Sequence, residues 1–172
     1  MFIAIGLVLP FITGQIPQVG KMLLPMHIPV FLCGFICGWR AGLTVGFILP
    51  LLRGLLFGMP ALMPMGASMA FELAAYGFIA GFMYPRLSFR TPVSVLLTTI
   101  AAMIGGRIAY GAAAWLFWRL QGDAFTARIF LAGAFLQAIP GIIIQLILFP
   151  ALITALEKAH MLDKAAVCQA GK

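Results

Sequence analysis

LLPMHIPVFLCGFICGWRAGLTVGFILPLLRGLLFGMP, residues 23–60, carries the pattern that decides the fold. Two apolar runs fill it: His27 to Trp39, which can begin as early as Met22, and Ala41 to Phe57. A membrane-spanning helix needs about 20 predominantly apolar residues. Arg40 separates the runs, and Gly58-Met59-Pro60 ends the second with turn chemistry. Lipid is the solvent that suits such a stretch.

Working outward, the rest of the chain reads the same way. Of 172 residues, 63% are hydrophobic and 9% charged, and the mean hydropathy is +1.11. Soluble domains carry about 25% charged residues, and a soluble protein of this size could not cover its surface with so few. Further spans are expected over residues 1–13, 66–84, 92–118 and 127–157, with 22–39 and 41–57 completing a six-transmembrane-helix bundle. The fold class is an all-α membrane protein: one membrane domain over 1–172, with a short tail at 158–172. Loops are expected at 14–26, near 58–65 and at 119–126. Pro50 and Pro140 fall inside predicted spans, where proline kinks a helix and frees a carbonyl. The first segment reaches only about 20 Å at 1.5 Å per residue, so it is expected to be a half-span or the end of a longer natural helix. No signal-peptide cleavage pattern follows it.

The basic residues orient the bundle. An even number of spans puts both termini on one side, with Arg40, Arg86, Arg90, Lys158, Lys164 and Lys172; Lys21, Arg119 and Arg128 take the other. The asymmetry predicts cytoplasmic termini. Trp39 then marks the inner interface, and Trp115 and Trp118 an outer aromatic belt. The net charge of +7 follows from these flanking residues, and no basic run suited to a nucleic acid is present. Cys33 and Cys37 are four apart, neither a redox CxxC nor a zinc pair, and are expected to pack as apolar groups.

Ionisable groups inside spans are costly and mark cavities or partners. Three stand out: Arg53, Glu72 and Arg107. On the predicted topology all lie in the outer half of the bundle, with Glu72 about 9 Å deep at 1.5 Å per residue. Two guanidinium groups against one carboxylate leave a positive charge suited to an anionic or zwitterionic solute. The alternative is that Glu72 pairs with one arginine as structural glue while Arg53 snorkels. Tyr76, one turn from Glu72, together with Tyr110, Gln137 and Gln145, could line a pocket or hydrogen-bond between helices. Gly34, Gly38, Gly42 and Gly46, spaced by four, suit close helix packing or docking of another subunit. His27 follows Met26, but a metal site needs several converging ligands. A local hydrogen bond or a place in the solute pocket is expected of it, and no metal or other cofactor.

The 23–60 stretch, MAFELAAYGFIAG at 69–81 and Arg107-Ile108-Ala109-Tyr110-Gly111 resemble the substrate-binding S component of an energy-coupling factor (ECF) vitamin transporter. The resemblance covers nearly the whole chain. It implies a six-helix bundle in a bacterial plasma membrane that binds one vitamin or precursor near the outer face and hydrolyses no ATP. The implied partners are a transmembrane coupling subunit and two cytoplasmic ATPases, with release by toppling in the bilayer and loops 14–26 and 58–65 capping the site. The basic pocket and this branch of the family make a pantothenate-like carboxylate the first expected substrate. The first segment departs from the family pattern: it has Ala4 and Gly6 but not the small-xxx-small spacing used for coupling. The Met-His start of the nickel and cobalt relatives is not matched either, since Met26-His27 is internal.

Two other function classes compete. A membrane enzyme would need paired acids, a metal motif or a Ser/Lys dyad, whereas Glu72 is the only acidic residue within the predicted spans. A self-contained secondary transporter would often show inverted repeats and a coupling carboxylate; no clear repeat is seen.

Overall fold

Glycines make the corners of this molecule. The computed structural model describes residues 1–12, 25–87, 92–120 and 139–158, and every regular element among them is helical. Helix α1 runs Phe2–Ile12, α2 His27–Cys37, α3 Trp39–Phe57, α4 Ala67–Met83, α5 Pro92–Leu120 and α6 Ile139–Lys158. Between α2 and α3 stands a single residue, Gly38, at φ 86°. Its N–H closes α2 on the Gly34 carbonyl, and α3 starts at the next residue. A side chain at that dihedral would be strained, so the break falls at the glycine rather than at Arg40. Gly58, at φ 69° and ψ 1°, ends α3 in the left-handed helical conformation.

The chain then passes through a kinked turn, Leu62–Gly66, in which Met63 is extended at φ −127° and ψ 139°, and runs directly into α4. The Gly66 N–H donates to the Ala61 carbonyl at 2.8 Å, and the Ser68 hydroxyl to the Pro64 carbonyl at 2.8 Å. Where the sequence suggests an open loop, the backbone is thus partly helical and its polar groups are partnered.

Among the described residues, three stretches are long and apolar enough to cross a membrane: Trp39–Phe57, Leu62–Arg86 and Pro92–Leu120. Phe2–Phe11, His27–Cys37 and Gly141–Ala155 are apolar but shorter. Pro50 lies inside α3 as expected. Pro140 lies at the near edge of the described part of α6, and Pro150 lies inside that helix. The expected start of the last span at Ala127 lies outside the described residues, as do 121–126 and 14–24 of the expected loops; Arg119 and Leu120, expected in a loop, instead end α5.

Helix α4 is the hub, packing on α2, α3 and α5, while α6 packs on α5. Glycine makes the α4 contacts close. A Cβ at Gly34 would stand 2.7 Å from the Gly77 carbonyl oxygen, and one at Gly42 or Gly46 would strike the Gly77 or Leu73 carbonyl. The four-residue glycine spacing therefore serves contact with α4 inside the bundle.

Helix α5 shows how the lipid solvent shaped the sequence. Leu97, Ile104, Ile108 and Trp115 are exposed along it, whereas Ser94, Thr98, Thr99 and Arg107 are buried. Apolar groups face outward and polar ones inward, reversing the soluble pattern. The Thr99 hydroxyl is satisfied by the Val95 carbonyl at 2.8 Å, as a buried hydroxyl in a span requires.

Candidate functional site: a buried charge cluster

Glu72 stands in the second turn of α4 and is 2% exposed. A lone carboxylate so far from water would be prohibitively costly, and its Oε1 atom accordingly gathers two donors. The Arg107 Nη1 of α5 lies 2.8 Å away, and the Tyr76 hydroxyl, one turn along α4, donates at 2.6 Å. The arginine neutralises the carboxylate, and the phenol adds a charge-assisted hydrogen bond.

Space for that phenol comes from Gly106. A Cβ there would lie 2.8 Å from the Tyr76 Cζ, so only glycine lets the ring lie against α5 and still reach Glu72. Phe31 of α2 stacks on the other side, 5.2 Å between centroids at 24°, and itself meets Phe149 of α6 at 4.7 Å. Helix α2 thus walls the phenol with an aromatic ring that α6 backs in turn.

His27 opens α2 beside this cluster and is 2% exposed. Its Nε2 is 3.9 Å from the Glu72 Oε1, too far for a hydrogen bond, and its ring centroid is 5.0 Å from that of Tyr76. Among the described residues, neither ring nitrogen has a hydrogen-bond partner. Buried polar atoms are normally paired, so these two nitrogens call for a group that the described residues do not supply.

Arg53 occupies the last turn of α3 and is also buried. Its Nε donates to the Met59 carbonyl at 3.1 Å, while its Nη1 is buried with no hydrogen-bond partner among the described residues. Of the two arginines expected against one carboxylate, Arg107 makes the ion pair; among the described residues Arg53 engages the backbone after α3 instead. Tyr110 lies half-buried on α5, three residues beyond Arg107, Gln145 is fully buried on α6, and Gln137 lies outside the described residues. Sequence reading missed Gly106, Phe31 and Phe149. The first had a signal in the Gly105-Gly106 pair preceding an intramembrane arginine; the two phenylalanines look like any other apolar position in these helices.

The cluster around Glu72 can offer a polar solute hydrogen bonds from His27, beside a neutral ion pair and an aromatic wall. Comparison with known proteins bears on what such a bundle is for. No curated protein and no solved structure matches the chain. The family model "ECF transporter, substrate-specific component" matches residues 1–153, a span that contains every residue of the cluster. Components of this kind are the solute-binding subunits of ECF importers; they associate with the coupling component and its ATPases and are not themselves enzymes. Together with the apolar helices, the match makes the protein a multi-pass membrane protein. The chain therefore belongs to the substrate-specific components of ECF transporters.

Proposed function

We propose that this substrate-specific component captures a vitamin or vitamin precursor bearing a carboxylate, with pantothenate the first candidate, at the cluster around Glu72. His27, Arg53, Tyr76, Arg107 and Tyr110 complete the proposed site with Glu72, and Gln137 is assigned to it from the sequence. The protein is proposed to be a single six-span domain over 1–172, with both termini cytoplasmic in a bacterial plasma membrane. Its site would then open outward and cargo would be handed to the coupling subunit and two ATPases.

One observation carries this reading: among the described residues, His27 beside the neutral ion pair and Arg53 at the end of α3 keep buried polar groups unpartnered. Glu72 and Arg107 cancel each other's charge, so Arg53 is left as the uncompensated buried cation among the described residues, and its Nη1 still seeks an acceptor. A monoanionic solute cancels that charge. His27 supplies a hydrogen-bonding group suited to a hydroxyl or amide elsewhere on the same molecule.

The test is titration calorimetry of detergent-purified protein against a panel of vitamins and precursors. At least one carboxylate should bind, and Arg107→Ala should weaken it by more than tenfold, about 1.4 kcal/mol. Unchanged affinity at normal expression would remove the cluster from the site, and silence across the panel would remove the vitamin reading.

A further inference from the structure

Helices α3 and α4 run antiparallel, and an exposed arginine stands at the same end of each. Arg40 is the second residue of α3, and Arg86 ends the short turn Tyr84–Arg86 that follows α4. Gly81 brings these ends together, because a Cβ there would strike the Trp39 backbone. The Trp39 ring meets Phe78 edge-on at 5.6 Å, and Phe78 stacks on Phe82 at 5.4 Å. The Arg40 guanidinium lies 5.1 Å from the Trp39 ring centroid, and that of Arg86 lies 3.5 Å from the Phe82 centroid. The Arg86 Nη1 also donates to the Phe82 carbonyl at 2.7 Å. Two cations thus flank one aromatic strip, each held against it by a ring face.

The surface below the arginines is apolar. Trp39, Leu43 and Phe47, four apart, are exposed along α3. Eight residues of helix cover about 12 Å, close to one leaflet of a hydrocarbon core about 30 Å thick. Trp39–Phe57 and Leu62–Arg86 are each long and apolar enough to cross a membrane, so Arg40 and Arg86 stand where headgroups begin. A charged end above an apolar track one leaflet deep is the outline of a phospholipid. Charge selects among phospholipids. Glu72, the acidic residue among the described side chains, is taken by Arg107, so no described carboxylate competes for the two arginines. A zwitterionic headgroup brings its own cation, whereas an anionic one does not. We infer that Arg40 and Arg86, with the strip from Trp39 to Phe82 between them, hold the phosphate of an anionic phospholipid whose acyl chain lies along α3. Each guanidinium is a planar fork that matches two phosphate oxygens. A soluble phosphate answers the two cations but leaves the apolar track uncovered. In the orientation proposed above this is the cytoplasmic leaflet, where anionic headgroups concentrate.

Native mass spectrometry of the full-length protein in detergent tests this, with phosphatidylglycerol and phosphatidylcholine of the same chains added at equal concentration. Phosphatidylglycerol should be retained in preference. Arg40→Gln and Arg86→Gln should each weaken its binding about fivefold, and the double variant should retain the two lipids alike. Arg86→Lys keeps the charge without the fork and should fall between the unaltered protein and Arg86→Gln. Both side chains are exposed, so the variants should melt as the unaltered protein does; should Arg86→Gln melt lower, Arg40→Gln alone carries the comparison. Arg119→Gln is the control. Arg119 lies over a tryptophan too, 5.4 Å from the Trp115 centroid, but in the last turn of α5 and outside this strip, so its loss should change nothing. Equal losses in Arg119→Gln and Arg86→Gln would mean general attraction of charge and overturn the site. Equal retention of both lipids by the unaltered protein overturns it as well. Displacement of phosphatidylglycerol by glycerophosphate at the same concentration makes this a soluble-phosphate site and sinks the lipid reading. Arginine variants that keep their lipid but lose partner subunits on affinity purification assign the surface to a protein instead, with the same result.

Discussion

Glu72 shows how much one buried carboxylate demands of its surroundings. Its charge is sustained by Arg107 at 2.8 Å and by the Tyr76 hydroxyl at 2.6 Å, and neither partner is replaceable without cost. Arg107→Met should destabilise the protein by about 3–5 kcal/mol, because it leaves a buried charge unpaired. The double variant Glu72→Gln/Arg107→Met should recover most of that loss, since an apolar or neutral pair of similar volume needs no compensation. Tyr76→Phe should cost about 1–2 kcal/mol, a single hydrogen bond to a charged acceptor. Unfolding by denaturant in detergent measures all three, and equal losses in the single and double Arg107 variants would refute the pairing as a stabilising unit. Glu72 and Arg107 were visible in the sequence because ionisable residues are rare in spans. Their pairing was one of two alternatives there, because the meeting of α4 and α5 is decided by the fold and not by residue spacing.

At the scale of the elements, glycine plays two separable parts. Gly42 and Gly77 lie back to back where α3 and α4 cross, so a Cβ on either runs into the other's backbone. Gly58 has nothing within 4 Å of such a Cβ but sits at φ 69°. Gly42→Ala should therefore push two helices apart and lower the melting temperature strongly. Gly58→Ala should cost only its backbone strain, about 1–2 kcal/mol. A larger melting-temperature drop for Gly58→Ala than for Gly42→Ala would contradict the packing described for α3 and α4. The four-residue spacing of Gly34, Gly38, Gly42 and Gly46 announced close approach in the sequence. It did not distinguish a partner within the chain from one outside it, because the spacing is the same for both.

For the whole molecule, the decisive property is that it carries no machinery of its own for driving transport. As an ECF substrate-specific component it depends on partners for energy. Affinity purification from mild detergent is expected to bring down the coupling subunit and both ATPases, whereas a self-contained secondary transporter would come down without ATPases.

What the residues alone determined was the solvent and the cast of characters. Hydropathy and charge show a helical membrane protein because unpaired backbone cannot sit in lipid, and the same argument makes Arg53, Glu72 and Arg107 conspicuous. The positions of most helix ends were legible from glycine and proline, whose dihedral limits act locally. Tertiary structure alone decided who meets whom. Arg107 rather than Arg53 answers Glu72, Gly106 admits the Tyr76 ring, and Phe31, backed by Phe149, stacks on it. Those outcomes depend on the crossing of helices far apart in the chain, a distance over which residue spacing carries no information.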